Sequence, residues 1–168
     1  MIGQKCIMKN TSTSRKIFLT NAAALGWIAV LFQLYLIILN RVDSVAATII
    51  RYFSFFTILT NILVALCLTF LLIKPVSRWG RFFAEPTTIT AITVYITIVG
   101  IVYNAILRFQ WSPQGAQMLV DELHHLVMPV FFFLYWIFFT PKKCLTWQNI
   151  LPWLISTFVY CDYVMVRG

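Results

Sequence analysis

The chain has 168 residues and is 61% hydrophobic, 17% aromatic and only 11% charged, with a mean hydropathy of +0.85. A soluble core of this length cannot hide that much apolar surface, so a water-soluble domain is excluded and an integral membrane protein is indicated. The net charge of +8 collects beside the apolar runs, which makes it a feature of membrane topology and points to no nucleic-acid partner.

Residues 1–16 are basic and polar and read as a tail. Residues 17–168 then form one domain with five apolar segments near the ~20 residues that cross a hydrocarbon core. These are 17–39, 46–73 with Arg51 near its start, 86–107, 123–140 and 145–166. The last is interrupted by Pro152 and Asp162. No alternating ten-residue pattern suggests a membrane barrel, so the expected fold is all-α, a multi-pass transmembrane helical bundle. The first span has no cleavage-site pattern after it and reads as an uncleaved helix.

Basic residues flanking the spans set the expected orientation. Lys5, Lys9, Arg15, Lys16, Lys74, Arg78, Arg81, Lys142 and Lys143 fall on one side, and Arg41, Arg51, Arg108 and Arg167 on the other. The richer side is expected to be cytoplasmic and to carry the N-terminus. Cys6, Cys67, Cys144 and Cys161 are scattered without a Cys-x-x-Cys pair, so no disulfide framework, metal site or cofactor is expected.

With this orientation, the second and fourth spans start, and the third ends, in the outer leaflet. The second opens "IIRYFSFFTILTN". As one continuous helix it would place Ser54, Thr57 and Asn61 on a common stripe, with Thr57 ~9 Å below Arg51. The third ends "VYNAILRF", with Asn104 and Arg108 four residues apart on one face. The fourth opens "DELHHLVMPVFFFLYW", where Asp121 and Glu122 stand beside His124 and His125, the only two histidines. Ionisable groups at membrane depth face the bundle interior or a wet cavity, since lipid cannot solvate them. A threonine hydroxyl becomes a nucleophile when a base takes its proton, and histidine is the usual base. Asp121 could orient a ring, and Asn104 and Arg108 could hold a carboxylate or an oxyanion.

Blander readings stand beside these. A membrane threonine most often bonds the carbonyl four residues back. Asp121 could cap the fourth helix, and Arg51 and Arg108 could anchor to headgroups. Adjacent helical residues diverge by about 100°, so one of the histidines is expected to be structural.

"RYFSFFTILTN", "VGIVYNAILR", "DELHHLVMPVFFFLYWIFFTPKK" and the terminal "YVMVRG" together resemble the bacterial "Pr-six-Pr" membrane proteins. That family is related to the androgen-induced gene 1 and androgen-dependent TFPI-regulating proteins. The resemblance covers residues 17–168 and implies a threonine hydrolase that cleaves fatty acid esters of hydroxy fatty acids in a bacterial inner membrane. In it Thr57, after the aromatic pair of "FFT", takes the nucleophile's place, and Ser54 is the poorer match. The animal spacing H-x-x-V-x-P gives His124 as base. The bacterial pattern, closer to D-x-L-L-H, gives His125, the expected base because that pattern is the nearer one. Members usually carry six spans, and this chain supplies five. The expected partner is a fatty-acyl substrate. A lipid- or small-molecule-binding membrane protein or a transporter using the same pocket is the alternative.

Overall fold

The computed structural model describes residues 12–110, 112–145 and 153. The predicted span 145–166, the first eleven residues of the tail and the terminal "YVMVRG" lie outside this set, apart from Leu145 and Trp153. Among the described residues the chain is helical. The elements are α1 (Thr13–Leu39), α2 (Val45–Tyr52), α3 (Phe56–Ile73), α4 (Arg78–Ala84), α5 (Pro86–Ala105), α6 (Ala116–Glu122) and α7 (Met128–Phe139). A 3-10 turn, Leu107–Phe109, follows α5, and a five-residue π-helical turn, Leu123–Val127, joins α6 to α7 without a break.

Among the described residues, four helical stretches are long and apolar enough to cross a membrane: Thr13–Leu39, Phe56–Ile73, Pro86–Phe109 and Ala116–Phe139. The helix starts follow their local chemistry. Ser12, Ser44 and Ser77 each accept the N–H of the residue three positions on, capping α1, α2 and α4. Pro86 occupies the first turn of α5, where its missing N–H costs nothing. Gly115 takes φ +60° to lead into α6, a left-handed value that glycine adopts freely.

Helix α3 packs against α1, α4 and α5, and α7 packs against α5 and α1. Leu19, Val64, Leu68, Ile92, Ile96, Met128 and Phe132 fill the space between them. Because lipid drives helix association less than water does, close approach and polar links matter more here. At Gly26 an added Cβ would lie 3.0 Å from Met128 Cε and 3.3 Å from Ala65 Cβ, so α1 can sit tight on α3. Trp27 donates to Thr69 (2.9 Å) between α1 and α3, and Trp136 to Thr90 (2.9 Å) between α7 and α5. Arg15, buried on α1, donates to the Tyr135 hydroxyl of α7 at 2.9 Å. Ile28, Leu31, Ile101, Phe133 and Phe138 point outward from the bundle, as a lipid-facing surface requires.

Four boundaries depart from the sequence reading, the first being that of α1, which begins at Thr13 inside the predicted tail 1–16. The predicted second span is two helices, because the chain breaks at 53–55. There Ser54 and Phe55 N–H groups turn back to the Arg51 and Tyr52 carbonyls, and the Ser54 hydroxyl takes the Ile50 carbonyl at 2.6 Å. A serine competing for helix carbonyls in this way offers the chain an exit. The stripe of Ser54, Thr57 and Asn61 is therefore not formed, since Ser54 precedes α3. Helix α5 ends at Ala105, so Asn104 and Arg108 do not share a helix face. The fourth span begins at Ala116, seven residues before the expected start. Asp121 therefore lies inside a helix whose N-cap is Gly115, and it caps nothing.

Candidate functional site

Proline 129 organises the site through what it lacks. Without an N–H it leaves the carbonyl of His125 without a donor in α register and that of His124 without one in π register. Met128 N–H reaches over five residues to Leu123, which sets the π turn, a local geometry frequent at functional sites. Two asparagine amides satisfy the orphaned carbonyls. Asn61 Nδ2 donates to Thr57 O at 2.8 Å and His124 O at 3.4 Å, which ties the start of α3 to the turn. Asn104 Nδ2 donates to Gly100 O at 2.8 Å and His125 O at 2.9 Å, which ties α5 to it.

Both rings are then oriented by their own helix. His124 Nδ1 lies 2.9 Å from Val120 O, and His125 Nδ1 lies 2.9 Å from Asp121 O. A carbonyl only accepts, so each Nδ1 carries the hydrogen, and each neutral ring keeps its lone pair on Nε2. His125 Nδ1 is also 3.3 Å from Asp121 Oδ1. Tyr103 donates its hydroxyl to the other oxygen of the same carboxylate. The Tyr103 ring stacks on His125, 3.9 Å between centroids at 15°. His124 is 2% exposed, and its Nε2 is buried with no hydrogen-bond partner among the described residues.

Thr57, Asp121, His124 and His125 line one cavity of about 470 Å³, within the range of small-molecule sites. Gln33 and Gln117, hydrogen-bonded to each other at 2.9 Å, add polar groups from α1 and α6. Thr20, Thr69, Thr90 and Thr93 all donate to the carbonyl four residues back. Thr57 does not. It stands in the first turn of α3, just past the extended Phe55, and no hydrogen bond ties its hydroxyl to a described residue. Thr48, Thr97 and Thr140 also have unpartnered hydroxyls, but none of them lines this cavity.

The other sequence-derived candidates stand outside the lining. Asn61 and Asn104 act on the backbone behind it. Ser54 faces its own helix. Arg51 lies 3.7 Å from Asp43, with both side chains exposed. Arg108 pairs with Glu122 and covers the Tyr103 ring. Sequence reasoning missed Tyr103 and the two glutamines. The signal for Tyr103 was its place one residue before Asn104, on the turn of α5 that meets the histidines.

Gly100 permits the contact that Asn104 completes. An added Cβ there would lie 3.0 and 3.2 Å from the Pro129 ring and 3.3 Å from His125 O. Alanine favours a helix interior by about 1 kcal/mol over glycine, but overpacking costs about 1–3 kcal/mol. Neither a proline ring nor a bonded carbonyl yields cheaply. Gly100→Ala is therefore expected to lower the thermal midpoint in detergent and to weaken any activity that depends on the histidine turn.

Fold and cavity together define a helical membrane protein with a cavity lined by a threonine and both histidines. Comparison with family models, with curated proteins and with solved structures gives no match for this chain.

Proposed function

We propose that the chain is an integral-membrane lipid esterase of the threonine type, acting on fatty-acyl esters, as its resemblance to the Pr-six-Pr proteins implies. The observation that carries this reading is the Thr57 hydroxyl, unbonded among the described residues, in a cavity shared with both histidines. Thr57 Oγ attacks the acyl carbonyl carbon and gives its proton to a histidine Nε2. Collapse of the tetrahedral intermediate expels the alcohol oxygen, which takes that proton, and leaves an acyl-threonine. Water then attacks the ester, loses its proton to the same nitrogen, and releases the fatty acid with Thr57 restored.

His124 is the base in this scheme. What supports the choice is its buried Nε2, without a partner among the described residues, and the Asn61 amide that bonds both its carbonyl and that of Thr57. His125 and Asp121 complete the wall, held by Tyr103. A fluorophosphonate probe on the purified protein is expected to form an adduct that peptide mass spectrometry maps to Thr57. A protein that takes up lipid without labelling at Thr57 would instead be a binder or transporter.

The reading places the cavity in the outer leaflet of a bacterial inner membrane, with the N-terminus cytoplasmic. Cysteines introduced at Lys74 and Lys142 are expected to resist a membrane-impermeant thiol reagent in intact cells, and one at Arg41 to react. The opposite pattern would turn the cavity to the cytoplasm.

A further inference from the structure

The N-cap residue of helix α3, Phe55, makes no side-chain cap hydrogen bond. Phe55, in extended conformation, offers no side-chain acceptor, and the first bond of the helix is Leu59 N–H to Phe55 O. The N–H groups of Thr57 and Ile58 thus have no acceptor among the described residues. An 18-residue helix also concentrates positive potential at this end. Phe55, Thr57 and Ile58 all line the cavity. A second, independent feature lies in the lining of the same cavity: the His124 ring, 2% exposed, whose Nε2 has no partner among the described residues. A buried backbone amide without an acceptor is costly, so a ligand oxygen that supplies one is favoured here. Asp121 also lines the cavity, where it accepts from Tyr103 and lies 3.3 Å from His125 Nδ1, and no hydrogen bond joins it to the two amides among the described residues.

We infer that the Thr57 and Ile58 amides hold the oxygen of a carboxylic ester during attack, and afterwards the carboxylate of the fatty acid released. The first half rests on the esterase reading, while the second stands without it. As Thr57 Oγ bonds the carbonyl carbon, the C=O π pair moves onto oxygen, and the two N–H groups donate to the resulting oxyanion. On collapse the pair returns and the bond to the alcohol oxygen breaks. Donors fixed in advance on a helix terminus do this without reorganising.

The test compares Phe55→Ser with Phe55→Ala in the full chain in micelles. Both lose the phenyl ring, but only serine supplies an N-cap oxygen that takes the N–H of the second or third helical residue, here Thr57 or Ile58. Neither change adds charge. Phe55→Ser is expected to melt no lower than Phe55→Ala, since a cap stabilises the helix. It should nonetheless hydrolyse esters about 10²-fold more slowly, the usual loss for one oxyanion donor. It should also bind laurate about tenfold more weakly, with binding of 1-dodecanol unchanged. Equal laurate affinity and equal rates in the two variants overturn the inference and leave the esterase reading standing. A lower melting temperature for Phe55→Ser than for Phe55→Ala also overturns it, because the amides were then not free to be capped. If no variant, wild type included, hydrolyses an ester, the esterase reading fails and the laurate comparison alone decides the anion site.

Discussion

Thr57→Ala is expected to reduce release of fatty acid from a p-nitrophenyl acyl ester in micelles to the uncatalysed level, a loss on the order of 10⁴-fold or more. The thermal midpoint should barely move. Thr57 lies in the first turn of α3, and its hydroxyl has no hydrogen bond to a described residue. Its removal therefore strands no partner and falls among substitutions that shift stability by about 0.5 kcal/mol or less. The pairing of a large kinetic loss with a negligible structural one is what separates a nucleophile from a packing threonine. Thr69 serves as the contrast. Its hydroxyl accepts from Trp27 and donates to Ala65 O, so Thr69→Ala should cost stability first. Thr57→Ser keeps a hydroxyl and should retain measurable turnover and probe labelling. If Thr57→Ala hydrolyses esters at the wild-type rate, the threonine mechanism is wrong.

That Thr57 and the histidines would line one cavity was legible because span order alone puts the starts of the second and fourth apolar runs at the same face. Hydrophobic length shows which segments cross, and alternation of direction then fixes which ends are neighbours. The break between α2 and α3 was not legible in this way. "RYFSFF" contains no proline or glycine, and its apolarity reads as continuous helix. Only Ser54 hints at the exit. The effect on interpretation is large, because the break converts Thr57 from a mid-helix residue with a carbonyl behind it into a first-turn residue facing a cavity.

The hydrogen-bond partners of Asn61 and Asn104 were not legible for a related reason. Their positions on the inner faces of two spans suggested substrate contacts, whereas both amides are taken up by helix backbone. Pro129 carried the missing information. A proline four and five residues after two histidines in a helical run leaves two carbonyls in need of donors, and two buried amides on neighbouring spans are suitable ones. Arg108 was expected to hold an anion, and its pairing with Glu122, the last residue of α6 and fourteen residues on, was not legible.

The histidine pair offers the sharpest remaining distinction. Truncation to alanine would confuse loss of a base with loss of packing, because His124 is 2% exposed. Asparagine avoids this. Its amide nitrogen sits near the position of Nδ1 and can keep the donation to Val120 O or Asp121 O, while nothing replaces Nε2. Neither substitution touches the carbonyls that Asn61 and Asn104 hold, so the π turn should persist in both. His124→Asn is expected to lower kcat by 10²–10⁴-fold, the usual contribution of general-base help, and to suppress fluorophosphonate labelling of Thr57 in parallel. His125→Asn removes a ring stacked on Tyr103 and near Asp121, and it should cost less than tenfold in kcat. The reverse ranking would move the base to His125, with Asp121 as its orienting carboxylate, and would leave Thr57 as nucleophile. Full activity in both variants would remove histidine from the mechanism altogether. The cavity would then be a binding site in which the buried Nε2 of His124 awaits a hydrogen-bond donor from the ligand, not a proton from Thr57.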